Sequence, residues 1–301
     1  MLIKKVFLSL LLLLFSFGLP GQPRAQQKAK KKQAALIVDG QSNHKHWPET
    51  TQRLKRYLEE TGLFTVEVAT SPPAGQSLEN FRPDFAHYDL VLSNYNGALW
   101  STSTQEDFEN FVKKGGGVVI VHAANNAFPE WPAYNKIIGL GGWGDRNEQW
   151  GPYVYFDEGQ GVFVRDNRPG RGGSHGPEHA FQVIIRQKNH PITKGMPPVW
   201  MHEKDELYDS FRGPAENMEV LATAFSAKEQ KGTGRHEPMA MVIHYGKGRV
   251  FHTTLGHGLY SQQGVGFITL LQRGAEWAAT GKVTQKIPKD FPQADQGSTR
   301  P

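Results

Sequence analysis

Apolar and polar positions along the 301-residue chain fall into short blocks whose spacing predicts strands and helices in turn. Ala34 to Asp39 reads as a first strand, followed by a polar loop, Gly40 to Trp47. Pro48 opens a helix with Leu54, Tyr57 and Leu58 on one face, and Gly62 stops it. Phe64 to Ala69 alternates with period two, as a half-buried strand does. Asp89 to Ser93 is a third strand ending at Asn94. Ser103-Thr104-Gln105-Glu106 has the form of a capping box, and Phe108, Phe111 and Val112 share one face of the helix after it. Gly115 to Gly117 turn the chain into Val118-Val119-Ile120-Val121, an unbroken apolar run expected of a strand buried on both faces. His122 stands where that strand stops. This strand–helix rhythm predicts right-handed βαβ units and an α/β fold: a doubly wound, mostly parallel sheet.

Between Gly139 and His179 the rhythm fails. The segment is rich in glycine, aromatic and charged residues and reads as a long irregular insertion over the carboxyl edge of the sheet. Gly139, Gly141 and Gly144 have dinucleotide-fingerprint spacing, but they follow a helix instead of a strand, so no nucleotide cofactor is expected. Regular patterning returns with strands at Phe181–Ile185 and Val220–Ala224. A hairpin, Met239–Tyr245 with Arg249–Leu255, ends in Gly256-His257-Gly258. A last helix, about Gly264 to Ala279, carries Phe267, Leu270, Leu271 and Trp277 on one face. The polar residues 283–301 read as a disordered tail.

Composition adds a location. Residues 1–25 have the form of a secretory signal: Lys4 and Lys5, the apolar run Val6 to Leu19, then Pro20, Gly21 and Pro23 before Ala25. A basic linker, residues 26–34, follows. The mature protein is therefore expected to be exported, periplasmic or secreted, with no membrane attachment after cleavage. The formal charge of +5 belongs to this region. Lys4, Lys5 and Arg24 supply three positive charges and Lys28, Lys30, Lys31 and Lys32 four more, with no acid among them, which leaves about −2 for the remainder. No nucleic-acid footprint is expected in the folded part. The chain has no cysteine, which excludes disulfides, thiolate metal sites and a cysteine nucleophile.

The candidate chemistry lies with the histidines, twelve in all. His44, His46, His122, His202 and His257 all fall at or just past predicted strand ends, where open α/β sheets bind ligands. Asp205 and Glu206 are close by in sequence. Imidazoles with carboxylates suit zinc or a similar divalent metal, and the same groups could instead form a hydrogen-bonded network for sugar hydroxyls. Either acid could serve as a general base. His190, before Pro191, is expected to order a turn, and His252 to be a strand residue. Trp100, Trp131, Trp143, Trp150 and Trp200 are either sugar-stacking faces or ordinary core.

Four motifs in order carry a resemblance: Gly115-Gly116-Gly117-Val118-Val119-Ile120-Val121-His122-Ala123-Ala124, His190-Pro191-Ile192-Thr193-Lys194-Gly195, Asp205-Glu206-Leu207-Tyr208, and Tyr245 through His257. Over about residues 35–282 the chain resembles the ThuA-like (trehalose utilisation) family, whose fold is that of class I glutamine amidotransferases and is flavodoxin-like. In those amidotransferases the position of His122 carries the nucleophilic cysteine, so amidotransferase activity is expected to be absent. The resemblance implies a small-molecule carbohydrate as partner, a disaccharide or a 3-keto-glycoside, processed by lyase, hydrolase or isomerase chemistry through proton abstraction next to a carbonyl. It leaves open a non-catalytic sugar-binding module on the same scaffold. The expected catalytic residues are His122 with Asp205 or Glu206. The expected metal ligands are His122, His202 and His257, and the expected substrate contacts are His44, Asn94, Asn125 and Trp143. A homo-oligomer is compatible with the sequence.

Overall fold

The computed structural model describes residues 31–301; the signal segment, residues 1–25, and residues 26–30 of the linker lie outside them. Nine strands form the main path of one sheet. In chain order they are β1 (Gln33–Asp39), β2 (Phe64–Thr70), β3 (Leu90–Ser93), β4 (Gly117–Val121), β8 (His179–Ile185), β9 (Val199–Asp205), β11 (Met218–Ser226), β12 (Arg235–Tyr245) and β13 (Gly248–Thr253). The spatial order is β2-β1-β3-β4-β13-β12-β11-β8-β9. The run from β2 to β13 is parallel. From β13 to β9 every pairing is antiparallel, which extends the doubly wound sheet on one side.

Successive residues of the parallel strands enter two different cores, as the pleat requires. Ile37, Leu92, Val119 and Val121 meet α1 (Trp47–Glu60) and α4 (Val265–Thr280) on one face. Val38, Val91, Val118 and Ile120 meet α2 (Thr102–Lys113) and α3 (Pro132–Ile138) on the other. All five residues of β4 are buried, which is why its sequence shows no alternation. At α2 the observed cap lies earlier than the capping-box spacing predicts. Ser101 is the N-cap and its hydroxyl accepts from the Thr104 N–H, so Ser103 and Glu106 are already inside the helix. Among the described residues no helix is long and apolar enough to cross a membrane.

Two expectations are corrected. The insertion is not wholly irregular. It contains β5 (Tyr153–Asp157) and β6 (Val162–Asp166), an antiparallel pair joined to the sheet through Phe156 opposite His236. It also holds β7 (Ser174–His175), which pairs with β10 (Tyr208–Asp209) in a separate two-stranded sheet. The tail is ordered as well. The Met201 N–H of edge strand β9 donates to the Gln293 carbonyl (2.7 Å), Val265 N–H donates to Ser298, and Phe291 packs on Trp200. Its polarity misleads because it is held by backbone hydrogen bonds along a sheet edge, which apolar content does not register.

Candidate metal centre

Four strands of the sheet, β1, β4, β9 and β13, carry their following loops to the same edge, and each loop brings a functional side chain. His44, His122, Glu206 and His257 each place one ligand atom within 4.8 Å of the others. His122 follows β4 directly and has φ 45°, a left-handed conformation uncommon outside glycine. The turn folds its ring back beneath the cleft, stacked on Tyr208 with centroids 4.1 Å apart. Gly256, at φ 103°, makes the corresponding turn after β13, where the added Cβ of any other residue would meet the Phe267 ring at 2.7 Å.

The hydrogen bonds fix which nitrogen each imidazole presents. His122 Nδ1–H donates to the Thr254 carbonyl at 2.7 Å, which leaves Nε2 facing the cluster; it is buried without a partner and lies 3.7 Å from Glu206 Oε2. His257 Nδ1–H donates to Glu178 Oε1 at 2.7 Å, which leaves its Nε2 3.5 Å from Glu206 Oε1. Burial, with the neighbouring His122 and His257, pushes the His44 imidazole down to about 3, so it is a neutral lone-pair donor at ordinary pH. Burial by itself would raise the Glu206 carboxyl, but the surrounding His122, His257 and His175 rings outweigh it and hold the group below its usual value. Three imidazole nitrogens and a carboxylate thus converge within 4.8 Å of one another. This donor set suits zinc or another first-row divalent ion. The residues present therefore fit the metal expected from the sequence.

The ligand assignment differs from the expected one. His202 is buried away from the cluster; its Nε2–H donates to Asp205 Oδ2 at 2.7 Å. Asp205 is fully buried and also accepts from the N–H groups of Gly256 (2.8 Å), His257 (3.0 Å) and Glu206 (2.9 Å). With its lone pairs committed and no path to a ligand, it is a positioning residue and not the base. His46 acts in the same outer layer, its Nε2–H donating to the His257 carbonyl at 2.7 Å. Metal-bound histidines are held this way by carboxylates and carbonyls, and losing such a partner typically weakens metal affinity 10–100-fold. Glu178→Gln is expected to lower affinity by about that factor without unfolding the protein; metal titration of the variant reads it, and an unchanged affinity would remove Glu178 from the site.

A cleft of about 400 Å³ opens over Glu206 and His44, walled by Trp143, Tyr208 and His175 and by the amides of Asn43, Asn96 and Asn126. Trp143 and His44, two of the expected substrate contacts, face it. Asn94 and Asn125 do not. Asn94 donates to the Trp47 carbonyl and Thr51 Oγ1 beside a closed pocket behind the imidazoles. Asn125 is fully buried and donates to His252 Nε2 (3.0 Å), whose Nδ1–H is bound to the Ile138 carbonyl. Trp100, Trp131 and Trp200 are core. A larger cavity of about 700 Å³ lies at the other end of β4, beside Phe111 and Gly116, and its Arg82 and Asp107 are already paired. Sequence reasoning missed Glu178, an acid in a glycine- and proline-rich loop with no spacing signal. His44, expected as a substrate contact, both lines the cleft and stands among the four residues that could hold a metal.

An α/β protein with a His₃Glu centre at the carboxyl edge of its sheet is the class defined by these features. The chain matches the ThuA family, described as Trehalose utilisation, over residues 34–278, and it belongs to that family. It is similar to a ThuA-like protein of Parabacteroides merdae of known crystal structure: 48% identity, 90% of this chain and 98% of that one, TM-score 0.86. A ThuA-like protein of Bacteroides uniformis shares the fold at 18% identity, with 88% and 97% coverage and a TM-score of 0.58. The glutaminase domain of Trypanosoma brucei CTPS aligns at 8% identity over 87% of this chain and 98% of that one, with a TM-score of 0.45. No curated protein matches the chain.

Proposed function

We propose that this protein is an exported, metal-dependent enzyme that acts on a carbohydrate bearing a carbonyl group, a 3-keto-glycoside being the fitting class. The observation that carries the reading is the convergence of His44, His122 and His257 with Glu206, of which His44 and Glu206 line a sugar-sized cleft. The carbohydrate class comes from the family together with the cleft wall, where an indole face stands beside three carboxamides. Export rests on the form of residues 1–25.

A divalent ion at this centre would polarise the substrate carbonyl and stabilise negative charge developing on its oxygen. The chain supplies the rest. Trp143 offers a flat apolar face for a pyranose ring, and Asn43, Asn96 and Asn126 offer donors and acceptors for hydroxyls. Glu206 is the cleft's one carboxylate, and one of its two oxygens would hold the ion while the other stays free as a base. It takes the proton from C2, next to the C3 carbonyl. The freed electron pair then expels the C1 substituent, which takes up a proton from solvent, or a proton is returned at C3 while the C2 hydroxyl proton passes to O3 and the carbonyl moves to C2. With no cysteine in the chain, glutaminase thiol chemistry is absent.

Purified protein incubated with 3-keto-glucosides and with the unmodified disaccharides tests this. Turnover of the keto sugars is expected, reduced about 10²–10⁴-fold in Glu206→Gln, as for loss of a general base. No turnover, with sugar binding that His122→Ala leaves unaffected, would instead identify a non-catalytic sugar-binding module.

A further inference from the structure

A second chamber adjoins the metal cleft. Its volume is about 360 Å³, and it shares Trp143, Gly144 and His175 with the first, so one ligand can extend through both. The two are chemically different. The first is lined by amides, aromatic rings, His44 and Glu206. The second is lined by Arg146, Arg171 and Ser174 with one acid, Asp145.

The two arginines are not neutralised by ion pairs. Arg146 is 1% exposed, yet its guanidinium is bound only by neutral oxygens: the Asn135 amide and the carbonyls of Asn126, Ala127, Gly142 and Trp143. No carboxylate among the described residues lies within salt-bridge distance of it or of Arg171. Arg171 is exposed on the glycine-rich turn Gly170 to Gly173; only its backbone carbonyl is engaged, by the Tyr153 hydroxyl at 2.8 Å. Behind this turn, Arg212 is fully buried and held by the carbonyls of Gly151 and Arg168 and the face of Tyr153. Buried guanidinium groups are ordinarily matched with carboxylates, because an unpaired charge in a low-dielectric interior is unfavourable. Here two are matched with dipoles alone. Their positive field is therefore left to act on the chamber, where a planar donor fork suits an oxyanion.

We infer that this chamber is a subsite for an oxyanion substituent, so that the sugar seated at the metal centre carries a carboxylate or a phosphate on its far side. The inference deepens the function proposed above and rests on it for the sugar. The charge recognition belongs to Arg171, with Arg146 behind it and the Ser174 hydroxyl alongside. Asp145 opposes it and restricts the site to ligands whose charge reaches Arg171.

Calorimetric titration with D-glucuronate, D-glucose 6-phosphate and D-glucose tests the subsite, on metal-loaded and on chelator-stripped protein. At least one charged sugar is expected to bind about tenfold or more tightly than glucose in both forms, as one charge-assisted hydrogen bond provides. The comparison of the two charged sugars tells carboxylate from phosphate. Arg171→Ala is expected to remove the preference and Asp145→Asn to strengthen it. Both positions are exposed, and asparagine tolerates the φ of 58° at Asp145. Equal binding of all three sugars would overturn the subsite, as would a preference that survives in Arg171→Ala. A preference that stripping abolishes but Arg171→Ala does not belongs to the metal and also overturns it. Failure of the metal-enzyme reading shows separately, as absent metal and absent turnover in protein that still prefers a charged sugar.

Discussion

Replacing His122 with alanine is expected to release the metal and abolish turnover together. Its Nε2 is the buried, partnerless donor at the centre of the cluster, and its Nδ1–H is already committed to the Thr254 carbonyl. No neighbouring group can move in to replace it, because the ring fills a stacked position against Tyr208. Removing one of four donors should weaken affinity by more than the 10–100-fold typical of an outer-layer partner, and activity should fall with occupancy, by about a thousandfold or more. Elemental analysis of protein purified without chelators gives the stoichiometry. The φ of 45° makes alanine strained at this position, at about 1–3 kcal/mol. His122→Asn is therefore the companion variant, since asparagine accepts that conformation and keeps the fold while losing the ligand. Stoichiometric metal in both variants, or full activity in metal-free wild type, would refute the centre.

Asp205→Ala is expected to be among the most destabilising single changes in the molecule, at about 3–5 kcal/mol. It would leave the Nε2–H of His202 and the backbone N–H groups of Glu206, Gly256 and His257 buried without their acceptor. Two of those N–H groups belong to Glu206 and His257 of the candidate centre, so metal affinity should fall even in the milder Asp205→Asn. The pH dependence has a definite sign. Burial pushes the Asp205 carboxyl upward, but His202, then His122 and the Gly256 N–H, outweigh it and hold the folded-state value below the ordinary one. A depressed carboxyl stabilises the fold above its unfolded value, near pH 4, and loses that contribution as pH falls through its folded value. Thermal unfolding of wild type should therefore lose stability on the acid side through this group, and Asp205→Asn should be flatter there. A neutral-pH melting temperature unchanged in Asp205→Ala would show that the four hydrogen bonds do not hold the edge together.

Much of the fold was legible in the chain. The unbroken Val118–Val121 run declared a strand buried on both faces, and its pleat does send alternate residues to two cores. The helix faces of Leu54, Tyr57 and Leu58, and of Phe108, Phe111 and Val112, are buried as their 3.6-residue spacing requires. The β12–β13 hairpin followed from the paired runs Met239–Tyr245 and Arg249–Leu255. The ordered tail was not legible, since backbone pairing to β9 is independent of side-chain polarity. The β5–β6 hairpin was hidden within residues 139–179 because its strands are short and mostly only half-buried on both faces.

The site divides along a similar line. The sequence by itself placed histidines and two acids at strand ends, and strand ends of a parallel sheet share an edge, so the neighbourhood of His122 was determined before any coordinate. Which of them meet was not. His202 and Glu206 are four residues apart, yet one is buried behind the sheet edge while the other faces the cleft, because Asp205 is clamped by loop 256–257 and the chain turns there. Which imidazole nitrogen faces the cleft depends on carbonyls and carboxylates far off in sequence, Thr254 for His122 and Glu178 for His257. Periodicity reports the direction of a side chain relative to its own element. Coordination depends on the distances between elements, and those are set only when the β1, β4, β9 and β13 loops close over one edge.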